Sequence, residues 1–122
     1  MGKVLILEDA QIGGDTLQAL RDRGLEGSWF IGVKSVNNST LTGIRPDFSE
    51  EVVQLSHYAL AFVDGFLYIC GQMGWDVLPF VKPLMHTVGT SSIGEIGCHE
   101  SIDKGDMVKE LDRILGEQAQ TC

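Results

Sequence analysis

The chain opens on a short apolar run, Val4-Leu5-Ile6-Leu7, that follows Lys3 and stops at Glu8-Asp9. An apolar run of this length without alternation reads as a strand covered on both faces by helices. Asp15-Thr16-Leu17-Gln18 then carries a cap residue with Gln three places on, and Leu17 with Leu20 forms an apolar stripe before Gly24, which predicts a first helix. Trp29-Phe30-Ile31-Gly32-Val33 is rich in strand formers and predicts a second strand. From Lys34 to Asp47 the pattern turns polar, and a long loop or hairpin-like excursion is expected. Ser49-Glu50-Glu51 resembles a helix start and predicts a short helix carrying Val52, Val53 and Leu55. Tyr58-Ala59-Leu60-Ala61-Phe62-Val63 is a third apolar strand, ending in Asp64. Between Phe66 and Phe80 a helix is expected around Trp75 to Leu78, with breaks at Pro79 and Pro83. Leu84 to Val88 is a candidate fourth strand running into Gly89-Thr90-Ser91-Ser92, and Gly97 to Ile102 holds a short fifth. The last element is a helix capped by Asp106, with Val108, Leu111, Ile114 and Leu115 on one face and Lys109, Glu110, Asp112 and Arg113 on the other.

Strands alternating with helices predict an α/β fold, a doubly wound parallel sheet whose working residues lie beyond the carboxyl ends of the strands. A chain of 122 residues, 43% apolar, has the size and composition of a single domain spanning 1–122. Its formal charge of −8 argues against direct contact with nucleic acid, whose phosphates call for basic surfaces. No apolar run is long enough to span a membrane and no basic leader precedes the first strand, so neither membrane contact nor export is expected and a cytoplasmic location is. Cys70, Cys98 and Cys122 have neither disulfide nor zinc spacing, and His57, His86 and His99 are scattered. Gly13-Gly14-Asp15 lacks the remaining residues of a nucleotide-binding turn, and the sequons in Asn37-Asn38-Ser39-Thr40 read as a polar loop.

The remaining chemistry lies at the strand ends. Glu8, Asp9 and Asp64 terminate two strands that are neighbours in the common doubly wound orders. Three converging carboxylates repel one another, and a hard divalent cation is the ordinary remedy. Mg²⁺ suits because it takes oxygen ligands and keeps exchangeable waters. The backbone carbonyl of Phe66 is a further candidate ligand. A carboxylate so placed can act as a nucleophile toward phosphorus and form an aspartyl phosphate. Thr90 would supply a hydrogen-bond donor to the transferred group and Lys104 a cation. Each feature alone has an ordinary reading: a solvated strand end, an Asp-Gly turn, a surface lysine, a turn threonine.

Taken together, these motifs resemble the receiver domains of two-component response regulators, the CheY-like fold. Lys3 to Asp9 is similar to that family's first strand with its acidic pair, Tyr58 to Asp64 to the phosphoacceptor strand, and Lys104 to the lysine before its last helix. The resemblance implies a five-stranded doubly wound sheet and phosphate transfer to Asp64, with a histidine kinase or phosphotransfer protein as donor and a downstream protein as target. Catalysis would at most be self-catalysed phosphorylation and hydrolysis, by a monomer or weak homodimer. With no output segment after the last helix, the effect is expected to pass through another protein. Departures accompany it. The interval from Asp9 to Asp64, 55 positions, is long for the family and implies an insertion after the second strand. The interval from Thr90 to Lys104, only 14, leaves a fourth helix shortened or missing, Ser92 to Gly97 giving about one turn. Gly105 replaces the usual proline, Ser101 replaces an aromatic switch residue, and Thr87 competes with Thr90 as the hydroxyl. These departures raise an alternative, a pseudo-receiver that docks constitutively without phosphorylation. A flavodoxin-like ligand binder is a third, weaker reading.

Overall fold

The computed structural model describes residues 2–67, 71–91 and 95–120. The chain runs β1 (Lys3–Leu7), α1 (Ile12–Asp22), β2 (Gly27–Phe30), β3 (Gly32–Val36), β4 (Thr40–Ile44), β5 (Glu50–Gln54), β6 (Tyr58–Val63), α2 (Gly74–Val81), β7 (His86–Gly89), β8 (Glu100–Ser101) and α3 (Leu111–Gln120). Five strands form one sheet in the order β2-β1-β6-β7-β8, and every neighbouring pair is parallel. The order reverses at β1, which places the carboxyl ends of β1 and β6 beside the topological switch point.

Alternation along each central strand divides the core. Val4 and Ile6 of β1, Leu60 and Phe62 of β6 and Val88 of β7 pack with Ala19 and Leu20 of α1 and with Leu111 and Ile114 of α3. Leu5, Leu7, Ala61 and Val63 point to the opposite face and meet Val77, Leu78 and Val81 of α2. Val33, Leu41 and Val53, one from each strand of a second sheet, complete that layer. This second sheet is antiparallel, in the order β3-β4-β5.

The inserted sheet corrects two sequence expectations. Trp29 to Val33 is not one strand, because the chain leaves the parallel sheet at Ile31, whose N–H donates to the Ile44 carbonyl at 2.8 Å, and continues as β3. The helix expected from Ser49 is instead strand β5, paired along its length with β4. Val53 is buried and Val52 is 63% exposed, a period-two pattern that a helical stripe does not produce. Phe30 presses on Gly43, where a Cβ would lie 2.3 Å from the ring, so only glycine lets β4 lie this close.

Other boundaries also shift. Helix α1 begins at Ile12 rather than at Asp15, because Gly13 and Gly14 are helical and lie under the Trp29 indole. Helix α2 runs through Pro79 instead of breaking there, the ring lying on an exposed position while Lys82 N still donates to Leu78 at 2.9 Å. The fourth strand starts at His86, and the fifth is only Glu100–Ser101. Asp106 does not cap the last helix: it closes a 3₁₀ turn over Lys104–Asp106, and α3 begins at Leu111. Between β7 and β8 no helix forms among the described residues, while residues 92–94 of the expected single turn, Ser92 to Gly97, lie outside them. Cys70 and Cys122 lie outside them as well, and no described helix is long and apolar enough to cross a membrane.

Candidate functional site

The ladder of the parallel sheet continues one bond past each central strand and so fixes the main chain of the residues at the switch point. Glu8 N donates to Phe30 O at 3.1 Å, Asp64 N to Leu7 O at 2.9 Å, and Thr90 N to Val63 O at 3.1 Å. The three acids expected from the sequence meet here. Glu8 and Asp64 are buried and Asp9 is exposed, and one carboxylate oxygen from each lies within 4.8 Å of the others.

Lys104 reaches into this cluster from the turn after β8. Its Nζ lies 2.9 Å from Asp64 Oδ2 and 3.0 Å from Glu8 Oε1. Thr90 Oγ1, fully buried, donates to Glu8 Oε2 at 3.4 Å, and Ala10 N donates to Glu8 Oε1 at 3.1 Å. Burial pushes the Glu8 carboxyl up to about 7, assisted by the Asp64 charge and only partly countered by Lys104. Burial works against the Lys104 charge, yet its bonds to Asp64 and Glu8 outweigh that and raise its affinity for the proton.

The two threonines that spacing left in competition are separated by their surroundings. Thr87 is occupied elsewhere: its Oγ1 lies 2.9 Å from His99 Nδ1 and accepts from His99 N at 3.0 Å. Of the two threonines, Thr90 is the one whose side chain contacts the acidic cluster. Phe66 lies just past Asp64 with its ring half exposed, edge-on to Trp75 at a centroid distance of 5.2 Å.

Sequence reasoning missed one supporting residue. Trp29, read in the sequence only as part of a strand, donates from Nε1 to the Glu8 carbonyl at 2.6 Å. A Cβ at Gly13 would stand 2.3 Å from that nitrogen, and one at Gly14 would stand 2.7 Å from the ring. The glycine pair is therefore room for an indole rather than part of a phosphate turn. The sequence held no signal for it beyond the Gly13-Gly14 pair itself, because what faces that pair is set by the fold. Gly74 serves similarly at β6, since a Cβ there would meet the Asp64 carbonyl at 1.9 Å. The scattered histidines also gain a place: His86 and His99 stack at 5.2 Å, His86 Nε2 lies 3.0 Å from Glu100 Oε1, and together they hold the segment before β8 along β7.

The architecture that carries this site is that of the CheY-like receivers. Similar in fold are a response regulator receiver domain protein from Methanospirillum hungatei (15% identity, 100% of this chain and 99% of that one, TM-score 0.61) and a two-component response regulator from Clostridium difficile (13% identity, 98% and 97%, TM-score 0.64). A response regulator receiver domain from Methylobacillus flagellatus aligns likewise (17% identity, 97% and 98%, TM-score 0.61). No protein-family model and no curated protein sequence matches the chain. The doubly wound, five-stranded receiver fold is thus shared across the whole chain at a level of identity where the likeness lies in the backbone.

Proposed function

We infer that the protein is a phosphoacceptor receiver module in which Asp64 takes up a phosphoryl group in the presence of Mg²⁺. The observation that carries this reading is the Lys104 amine bound at once to Asp64 and Glu8, beside Asp9 and Thr90. Hard carboxylate oxygens from Glu8, Asp9 and Asp64, two of them buried, fit the ligand preference of Mg²⁺, and the Phe66 carbonyl is a fourth candidate ligand. When bound, the ion supplies charge neutralisation among the carboxylates and the phosphoryl oxygens.

The chain's own groups do the remainder. An Asp64 oxygen forms a bond to phosphorus as the bond to the donor's leaving group breaks, a histidine nitrogen or the oxygen of a small acyl phosphate, and the leaving group departs with the electron pair. Lys104 holds its charge where the phosphoryl oxygens arrive. Thr90, poised on Glu8, turns its hydroxyl toward them. The donor is a histidine kinase or phosphotransfer protein, and the altered surface is read by a downstream protein.

Titration with Mg²⁺ and beryllofluoride, followed by amide NMR, tests this. Shifts around residues 8, 64, 90 and 104 that vanish in Asp64→Asn are expected, and a spectrum indifferent to Mg²⁺ would refute the reading. One observation favours a second reading, constitutive docking by a pseudo-receiver: no helix forms between β7 and β8 among the described residues, so the surface that would relay switching is altered. That reading requires partner binding to be the same in Asp64→Ala.

A further inference from the structure

We propose that the cleft beside the free edge of β2 docks an extended acidic peptide segment, which adds to β2 as a further strand. In a parallel ladder both main-chain groups of one residue point to the same side, and successive residues alternate. Val4 N donates to Glu26 O at 3.0 Å and Glu8 N to Phe30 O at 3.1 Å, so residues 26, 28 and 30 face β1. Residues 27, 29 and 31 therefore face outward. Ile31 spends its outward N–H on Ile44 of β4. Trp29 and Gly27, one and two steps earlier along the same edge, have no such partner among the described residues.

The inserted sheet turns this edge into a cleft. Strand β4 ends at Ile44, and Pro46, which has no N–H to offer, leads the chain away. A cleft of about 400 Å³ remains between α1, β2 and the turn after β4. Leu17 and Trp29 give it apolar walls, and Arg21 and Arg45 stand at its rim. Arg45 is held by Glu51 at 2.7 Å, whereas Arg21 makes no ion pair among the described residues. Glu51 also lines the cleft and compensates Arg45, so the rim keeps one positive charge, that of Arg21, and this favours an anionic group.

The chemistry selects the occupant. Edge amides recognise an extended backbone, apolar walls take alternate side chains, and Arg21 favours a carboxylate on an intervening one. A second copy of this chain would set arginine against arginine, which disfavours edge-to-edge dimerisation. Charged residues also guard strand edges against any pairing, and that reading predicts no binding at all. The proposal stands independently of phosphorylation at Asp64.

A fluorescein-labelled octapeptide alternating valine and glutamate, titrated with the full chain and read by anisotropy, is the test. Saturable binding is expected, weakened about tenfold by Arg21→Glu, an exposed and unpaired position whose exchange leaves the circular dichroism unchanged. Methylation of alternate peptide nitrogens should weaken it at least as much, and the valine–lysine peptide should not bind. Absence of saturable binding, equal binding of the methylated peptide, or self-association through the same edge would each overturn the proposal.

Discussion

The two faces of the parallel sheet are covered by different means. One lies under α1 and α3, where Ala19, Leu20, Leu111 and Ile114 meet Val4, Ile6 and Phe62. The other lies under α2 and the antiparallel β3-β4-β5 sheet, with Val33, Leu41 and Val53 against Leu5, Leu7 and Phe30. In a doubly wound fold both layers are ordinarily helical. The difference shows that the sheet needs apolar area of the right depth from its covering layer rather than a helix as such. The site stays indifferent to the substitution because Glu8 and Asp64 are fixed by ladder bonds to Phe30 and Leu7, one step past β1 and β6.

If the inserted sheet is core rather than ornament, truncations on the two faces should cost alike. Leu41→Ala and Ile114→Ala each remove a side chain with no exposed surface, and each should lower unfolding free energy by about 3 kcal/mol in urea titrations. A Leu41→Ala loss well under 1 kcal/mol would break the comparison and make the insert an appendage.

The next effect is electrostatic and tests the indifference of the site. Lys104→Met leaves Glu8 and Asp64 facing each other without their shared cation, and in Mg²⁺-free buffer stability should fall by roughly 2 kcal/mol. Added Mg²⁺ should restore much of it by binding only the folded chain. A loss that Mg²⁺ does not relieve would mean that the acids hold no cation. Trp29→Phe is subtler. It deletes the donor to the Glu8 carbonyl while keeping an aromatic ring over Gly13 and Gly14, and should cost about 1 kcal/mol, seen as a several-fold weaker Mg²⁺ affinity by calorimetry.

The same contrast explains what the sequence disclosed. Strands β1 and β6 were legible because each is a bounded apolar run ending in acid, a pattern imposed by burial on both faces. Their meeting at Lys104 was legible once the strand order was assumed. The inserted sheet was not, for physical reasons that can be located. Ile31 passes from one sheet to the other, and the one local mark of the boundary is Gly32, a single glycine inside an otherwise continuous strand-forming run. Ser49-Glu50-Glu51 has the chemistry of a helix start, but pairing with β4 outweighs it, as tertiary context overrides weak local preference. Which of Thr87 and Thr90 lies beside the acids was not set by spacing, and the preference for Thr90 rested on the small residues after it. The structure adds His99, brought beside Thr87 by a segment whose course the sequence did not indicate.

The smallest effect, at Val52, tests that misread element directly when set against its neighbour Val53. In a strand, Val52 and Val53 face opposite ways, and here Val52 is 63% exposed while Val53 is 8%. Exchanging Val for Thr preserves shape and β-branching and replaces one methyl by a hydroxyl, so the cost reports burial rather than strand preference. Val52→Thr should change stability by less than about 0.5 kcal/mol in either direction, since the hydroxyl remains in water. At Val53 the hydroxyl enters the layer formed with Leu41 and Phe30, and the loss should be clearly larger, about 1–2 kcal/mol. Adjacent helical positions lie about 100° apart, and on a half-buried helix the two exchanges would draw together. Equal costs would therefore return residues 50–54 to the helical reading and remove the strand on which the inserted sheet closes.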